Sequence, residues 1–180
     1  MERMLIIGFP GGGKTILAKQ IGEILHIPVH HCDRIKRIEN WQMKPNAEIH
    51  QLVNQVIDQD KWILDGYPTT AIMPACIDRA DTLIFVDLNR ILCMWRVTKR
   101  TIKNRGKVRD DVGDGCKDGY GLPTFLYGVI WTHPKKYRPT YVQWLATEGK
   151  NAYHFKSRRQ IRKFINKLSK DHENSNQENL

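Results

Sequence analysis

The sequence predicts an α/β fold in which a parallel sheet is covered by helices on both faces. Short apolar runs alternate with longer amphipathic segments along the chain, which is the pattern of repeated strand–helix units. Two of these runs, Trp62–Leu64 and Thr82–Val86, are apolar almost throughout, as strands are when both faces of a parallel sheet are buried. The length of 180 residues fits a single domain.

The first half of the chain supplies most of the predicted strands. Apolar runs predict strands at Met4–Ile7, Ile27–His31, Trp62–Leu64 and Thr82–Val86. Helical spacing of apolar residues predicts helices at Thr15–Leu25, Asn46–Gln59 and Ile91–Ile102. The first helix has an apolar stripe, which consists of Ile16, Leu17, Ile21, Ile24 and Leu25. Asn46 is expected to cap the helix that it begins.

The regular alternation stops after the third helix. Residues 104–121 contain five glycines and no periodicity, so we expect a loop or lid there. Helices are predicted at Pro123–Thr132 and Thr140–Thr147 around a corner at Pro134–Pro139, followed by a strand at Ala152–Phe155 and a helix from Ser157 to Leu168. We therefore expect one domain over residues 1–168 and a disordered polar tail over 169–180.

Positive charge is concentrated in the second half of the chain. The whole chain has 29 Lys and Arg against 19 Asp and Glu, a net charge of +10. Residues 90–168 alone have 19 basic and 5 acidic side chains, a net charge of +14, whereas residues 1–89 are close to neutral. Such an asymmetry indicates an anionic partner, and phosphate is the first candidate.

Membrane and secreted classes do not fit the composition. No apolar run approaches the roughly 18 residues that a membrane span needs. The apolar stretch near the start is too short for the core of a signal peptide. Four widely spaced cysteines without a C-x-x-C pair indicate reduced thiols, and a cytoplasmic location is expected.

A phosphate-binding loop is the strongest signal in the sequence. Gly8–Thr15 matches G-x-x-x-x-G-K-[ST] without a mismatch and lies between the first strand and the first helix. Glycines let backbone N–H groups converge on a phosphate at a helix N-terminus, which favours negative charge. Lys14 is expected to reach the β- and γ-phosphates, and Thr15 to bind Mg²⁺. The residues expected to contact ATP are Gly8, Pro10, Gly11, Gly12, Gly13, Lys14, Thr15 and Ile16.

Three aspartates follow predicted strands, at the sheet edge where ligands of α/β proteins bind. Asp65 and Asp87 are both candidates to hold Mg²⁺, and the second of these could instead cap the next helix. Asp33 could accept a proton from an acceptor hydroxyl or, alternatively, cap the segment that follows it.

Five arginines of the basic half are candidates to stabilise the transferring phosphoryl group. They are Arg96, Arg100, Arg105, Arg109 and Arg138. A solvated basic face would show the same charges, and we expect at least two of the five to contact phosphate. Among the tryptophans, Trp95 and Trp144 have the spacing of core residues, whereas Trp41 is the better candidate for contact with a base or an acceptor.

Several segments together resemble the bacterial DNA-topology-modulation protein family, which is related to adenylate kinases. They are the phosphate loop and residues 28–33, 62–67, 79–87, 95–100, 105–106, 115–116 and 157–159. The resemblance implies a three-layer sandwich of the nucleoside-monophosphate-kinase type with a five-stranded parallel sheet of order 2-3-1-4-5. It also implies ATP binding and kinase-like activity. Ile63–Pro68 is similar to an adenylate-kinase segment whose aspartate serves Mg²⁺, which favours Asp65 as the metal residue.

The leading hypothesis is therefore an ATP- and Mg²⁺-dependent phosphotransferase that acts on a small molecule or nucleotide. Thr69 stands where adenylate kinases have an arginine for the acceptor's phosphate, which weakens the case for AMP as the acceptor. The alternative hypothesis is a nucleic-acid-associated regulator whose basic half binds DNA. No helix-turn-helix or zinc-finger pattern supports it, so it ranks second.

Overall fold

A five-stranded parallel sheet forms the centre of the protein. The computed structural model describes residues 1–108, 111–116 and 124–177. The strands are β1 (Arg3–Gly8), β2 (Val29–His31), β3 (Trp62–Asp65), β4 (Thr82–Val86) and β5 (Asn151–Phe155). Their order is β2-β3-β1-β4-β5, which confirms the predicted 2-3-1-4-5 order. The order places the C-terminal ends of β3 and β4 on either side of the end of β1.

Seven α-helices and two short irregular helices connect and flank the strands within the described residues. The α-helices are α1 (Lys14–Leu25), α2 (Cys32–Lys36), α3 (Asn46–Ile57), α4 (Met73–Arg79), α5 (Arg90–Lys103), α6 (His133–Leu145) and α7 (Arg158–Gln177). A 3-10 turn covers Glu39–Trp41, and a π-helix covers Phe125–Thr132. The short helices α2 and α4 were not predicted, because segments of five and seven residues contain too few turns for a periodic pattern.

Two apolar cores, one on each face of the sheet, produce the predicted three layers. Leu5 and Ile7 of β1 belong to the core beneath α3, α4 and α6. Met4 and Ile6, which alternate with them, belong to the core beneath α1, α5 and α7. Side chains alternate between the faces of a strand, so a strand covered on both faces is apolar at every position.

The predicted corner at Pro134–Pro139 is wrong, because these residues lie inside the continuous helix α6. Pro134 occupies the first turn of the helix, where no backbone N–H is needed. Pro139 is inside the helix on its exposed side, where the carbonyl that loses its hydrogen bond can be hydrated. Tyr141 lies one turn beyond Tyr137 and two turns beyond Pro134 and is buried against the sheet, so tertiary packing outweighs the local cost of the proline.

The two predicted helix caps have different outcomes. Ser157 caps α7 as expected: its hydroxyl accepts from the Gln160 backbone N–H at 3.3 Å, while the Gln160 side chain accepts from the Ser157 N–H at 3.0 Å. Asn46, by contrast, is the first residue of α3, and Pro45 occupies the cap position without a side-chain hydrogen bond.

Helix α7 continues past Leu168, its predicted end, to Gln177. Residues 169–177 of the predicted polar tail are therefore helical, and the tail's last three residues lie outside the described residues. Extending an existing helix adds one hydrogen bond per residue without a new nucleation cost, and the hydroxyl of Ser169 contacts the Glu173 carboxylate one turn later at 3.2 Å.

Residues 111–116, which belong to the predicted lid, pack against the segment that follows α2. Val112 and Cys116 are fully buried, and the Cys116 thiol donates to the Ile38 carbonyl at 3.0 Å. A Cβ on Gly113 would overlap the backbone carbonyl of Arg37, so the two backbones are in close contact. This packing places the lid segment beside the residues that line the cleft described below.

No helix among the described residues has both the length and the apolar character that crossing a membrane requires. The four cysteines are buried and free of disulfide bonds.

Candidate active site

The phosphate loop connects β1 to α1 and has the geometry of an anion cradle. Gly11 has a φ of +79°, and a Cβ there would lie 2.5 Å from the Cys93 carbonyl oxygen, so only glycine fits. Gly13 has a φ of +92° and directly precedes α1. The loop therefore ends at the N-terminus of a twelve-residue helix, where free N–H groups attract a phosphate.

Three cations line the cleft at this loop, namely Lys14, Arg96 and Arg158. The Lys14 ammonium donates to the Phe9 carbonyl at 3.3 Å, and the Arg96 guanidinium donates to the Gly11 carbonyl at 3.2 Å. Burial lowers the pKa of Arg96, and the nearby charge of Arg158 lowers it further. Two guanidinium groups that repel each other at the edge of a phosphate loop are stabilised when an anion binds between them.

Asp65, at the end of β3, forms a compact polar cluster behind the loop. Its Oδ2 accepts from the Thr15 hydroxyl at 2.8 Å and from Nδ1 of His31 at 3.0 Å. Its other oxygen, Oδ1, is buried and has no hydrogen-bond partner among the described residues. A buried carboxylate oxygen that lacks a partner is costly, and a cation or its water shell would satisfy it. The cluster fits Mg²⁺, which prefers oxygen ligands.

Asp87, the other candidate for Mg²⁺, lies in an ion pair instead. Its carboxylate accepts three hydrogen bonds of 2.8–3.1 Å from the Arg138 guanidinium and lies 3.2 Å from Nε2 of His154. The Asp87 side chain is 6% exposed. These contacts occupy both carboxylate oxygens, and neither residue of the pair lines the cleft at the phosphate loop. Asp87 also does not cap α5, because the Asn89 side chain does.

Asp33 lies on the same cleft, at the start of α2. Its carboxylate is 3.4 Å from the Lys36 ammonium, and its side chain is 55% exposed. Although more than half of the side chain is exposed, neighbouring groups remove part of the hydration of the carboxylate, which acts to raise the pKa of Asp33. The charges of Lys36, Lys14 and Arg37 outweigh this effect and leave the pKa below its usual value. Asp33 is therefore an ionised carboxylate at neutral pH, and it interacts electrostatically with Lys14.

A group of aromatic rings lines the cleft on the side of Asp33. Tyr141 stacks on Phe9 of the phosphate loop with ring centres 5.4 Å apart, and burial raises its pKa to about 12. Trp41 lines the same cleft, and its contact with a base or an acceptor stays a prediction. Trp144 packs against the core as expected, whereas Trp95 is 59% exposed, contrary to the core position predicted for it.

The cleft is large enough for two ligands. Its volume of about 1780 Å³ exceeds the roughly 300–1,000 Å³ of a typical small-molecule pocket. All the residues expected to contact ATP line it, as do Asp33, Arg96 and Arg100. Ile16 is 66% exposed within the cleft and does not belong to the buried stripe of α1, where Ala18 and Gly22 are buried instead.

Two other predicted arginines, Arg105 and Arg138, are not brought to the loop. Arg138 pairs with Asp87, and Arg105 is exposed and does not line the cleft. Arg109 lies outside the described residues. Cleft residues without a predicted role include Lys36 and Arg162. His31 was also missed as a partner of Asp65, although alternation along β2 and the parallel register with β3 together could have identified it.

Comparison with solved structures identifies the fold. A shikimate kinase from Acinetobacter baumannii in complex with shikimate superposes with a TM-score of 0.62 at 14% identity, covering 93% of this chain and 90% of that one. A shikimate kinase from Bacteroides thetaiotaomicron has a TM-score of 0.56 at 18% identity, with 96% and 98% of the two chains covered. The chain therefore has the fold of phosphate-loop kinases.

Sequence comparisons give no family. No protein-family model matches the chain, and no curated protein matches it. The predicted membership of the DNA-topology-modulation family receives no support from either comparison.

Proposed function

We propose that the protein is an ATP- and Mg²⁺-dependent phosphotransferase with a small-molecule acceptor. The observation that carries the proposal is the shared cleft: the phosphate loop, its three cations and the Asp33 carboxylate all face one space. The fold of two shikimate kinases supports it, and the complex of one of them with shikimate is an example of a small acceptor on this fold.

The nucleotide side of the cleft binds and neutralises a triphosphate. Backbone N–H groups of the loop and the N-terminus of α1 hold the phosphates, and Lys14 adds a full positive charge. Arg96 and Arg158 provide charge-assisted hydrogen bonds to oxygens that become more negative during transfer. Thr15 and Asp65 would hold Mg²⁺, which supplies further charge neutralisation when it is bound.

On the acceptor side, the ionised Asp33 accepts a hydrogen bond from the acceptor hydroxyl and orients its oxygen towards the γ-phosphate. A bond forms between that oxygen and the γ-phosphorus, while the bond from the γ-phosphorus to the oxygen that ADP keeps is broken. The hydroxyl proton passes to Asp33 and then to solvent. ATP and the acceptor must be held together in the same cleft, because this arrangement excludes water. Otherwise the γ-phosphoryl group would be transferred to water instead of to the acceptor.

Calorimetric titration with Mg-ATP tests this proposal. Lys14→Ala should weaken ATP binding by about ten-fold or more, since a charge-assisted contact is worth roughly 1.5–3 kcal/mol. Lys61→Ala is the matched control, because Lys61 is an exposed partner of Glu2. Equal affinity of wild type and Lys14→Ala would contradict the assignment.

The same titration with and without Mg²⁺ examines the metal site. Asp65→Asn keeps the size of the side chain but removes its charge, so the gain in ATP affinity that Mg²⁺ gives the wild type should be reduced. Asp87→Asn should retain that gain. The reverse result would move the metal site to Asp87.

A further inference from the structure

We propose that the acceptor is an alcohol carried on a flat aromatic or heteroaromatic ring. This inference rests on the proposed function, because it names the substrate class of the same site. The evidence for it comes from the side chains that surround the acceptor side of the cleft.

The reacting end of the acceptor is defined by Asp33 and Lys14. Asp33 and Lys14 line the same cleft, and Lys14 is the loop residue proposed to reach the γ-phosphate, so we place the reacting hydroxyl between these two side chains. A hydroxyl between them gives its proton to Asp33 as its oxygen bonds to the γ-phosphorus and ADP leaves. The remainder of the acceptor then lies along the residues next to Asp33.

Those residues lead directly to aromatic side chains. Lys36 joins Asp33 to Tyr67, because its ammonium lies 3.4 Å from the carboxylate and donates to the Tyr67 carbonyl at 2.5 Å. The Tyr67 ring stacks on Trp144 at 6.3 Å and 19°. Trp144 stacks on Tyr141 at 5.2 Å and 27°.

Phe9 completes this series, since it stacks on Tyr141 at 24°. The four rings of Phe9, Tyr67, Tyr141 and Trp144, here called the aromatic wall, thus extend from the phosphate loop to the acceptor side. All of them except Trp144 line the cleft. Phe9 and Tyr141 belong to the core and are only 6% and 9% exposed, so the half-buried ring of Tyr67 is the part of the wall that is open to the cleft. A flat ligand can make offset or edge contacts with this ring.

Trp41 is another aromatic residue that lines the cleft, and its backbone is strained. Asn40 and Trp41 have consecutive left-handed φ values of +56° and +62°, a conformation that is unusual for residues other than glycine and costly for a bulky side chain. Arg37 holds the segment in place: its guanidinium donates to the Trp41 carbonyl at 2.8 Å and lies 5.4 Å from the centre of the Trp41 ring. Backbone strain of this kind is typical of active sites and ligand-binding sites, where it positions a functional side chain.

Acceptors with and without an aromatic ring separate this class from the alternatives. ADP release is measured at saturating Mg-ATP with adenosine, thymidine and pyridoxine, and in parallel with shikimate, ribose and glycerol, and the products are identified by mass spectrometry. We expect at least one aromatic alcohol to gain a phosphoryl group and to raise ADP release about ten-fold over ATP alone. Phosphorylation of shikimate, ribose or glycerol but of no aromatic alcohol would overturn the inference.

Variants of two cleft rings test the contact itself. Trp41→Leu and Tyr67→Leu should each raise the KM for the phosphorylated alcohol about ten-fold, as the loss of one stacking contact implies. Tyr67→Phe keeps the ring and should stay within about two-fold of wild type, and Trp131→Leu, which removes an exposed ring that does not line the cleft, is the matched control. A KM that is unchanged in both leucine variants would contradict the inference.

Mg-ATP binding separates this inference from the proposed function. If the wild type does not bind Mg-ATP, the proposed function is wrong. If it binds Mg-ATP and phosphorylates none of the aromatic alcohols, the ATP site stands and the acceptor class is overturned.

Discussion

Asp87 and Arg138 are joined by three hydrogen bonds at the end of β4, and this pair fastens α6 to the sheet. The buried carboxylate is compensated by the guanidinium, and His154 from β5 lies on its other side. Because Tyr137 and Tyr141 of the same helix line the cleft, the pair acts on the site through the position of α6. Its contribution is therefore to stability and to the shape of the part of the cleft that we propose holds the acceptor.

Removing the guanidinium should destabilise the fold and leave ATP binding largely intact. We expect Arg138→Leu to lower the free energy of unfolding by about 2 kcal/mol, less than for a fully buried pair because Arg138 is 40% exposed. Urea unfolding measures the loss, and calorimetry with Mg-ATP measures the affinity.

Arg79→Leu is the control for that measurement, because Arg79 and Asp58 form an ion pair in which both side chains are more than half exposed. It should change the free energy of unfolding by less than about 1 kcal/mol. If Arg138→Leu leaves the free energy of unfolding unchanged but weakens ATP binding, Arg138 contacts the phosphates, as the sequence predicts, rather than stabilising the fold.

At the scale of elements, the lid segment and the segment after α2 form one packed unit. Gly113 contacts the backbone of Arg37, and a Cβ on Gly115 would lie 2.5 Å from the Glu39 side chain. Cys116 is fully buried between the two segments. Since Arg37 also holds Trp41, the contact connects the lid to the acceptor side of the cleft.

A methyl group at position 113 should separate these two segments. Gly113→Ala places Cβ against a backbone carbonyl that has no flexible end to move aside, so the Cys116 thiol should become exposed. We expect a thiol reagent such as dithionitrobenzoate to modify Cys116 at least about ten-fold faster than in the wild type. A loss of about 1.4 kcal/mol of packing free energy raises the population of the open state, in which the thiol is accessible, by that factor.

Gly128→Ala is the matched control, because nothing lies within 4 Å of a Cβ at that position. The double variant Gly113→Ala, Cys116→Ser should lose the fast reaction, which identifies the thiol. A reaction rate of Gly113→Ala equal to that of wild type would mean that the two segments do not depend on this contact.

Across the whole molecule, the basic half divides into cations that face the cleft and cations that face solvent. Arg96, Arg100, Arg158 and Arg162 line the cleft, whereas Arg159 and Lys163 of α7 do not. Under the proposed function, part of the charge of +14 in residues 90–168 attracts a polyphosphate. No observation in the described residues favours the DNA-binding alternative.

Neighbouring arginines of α7 should therefore differ in their effect on ATP. We expect Arg158→Leu to weaken Mg-ATP binding about ten-fold and to reduce its dependence on salt, since Arg158 lies beside Arg96 at the phosphate loop. Arg159→Leu, one residue along the helix, should change the affinity by less than about two-fold. Equal effects of the two variants would indicate general attraction by the basic surface.

The sequence by itself determined the layered fold and the position of the phosphate loop. Strand runs without polar residues require burial on both faces, and the loop motif is local, so its strand, turn and helix follow from adjacent residues. Asp65 and Asp33 could be identified because the ends of parallel strands meet at one edge of the sheet.

Only the tertiary structure decided which partner each side chain has. Asp65 and Asp87 both follow strands, yet one bonds Thr15 and the other Arg138, 51 residues away. The aromatic wall likewise joins residues from three distant segments. Such contacts depend on where whole elements pack, and packing against the sheet also keeps α6 helical through two prolines that locally predict a corner.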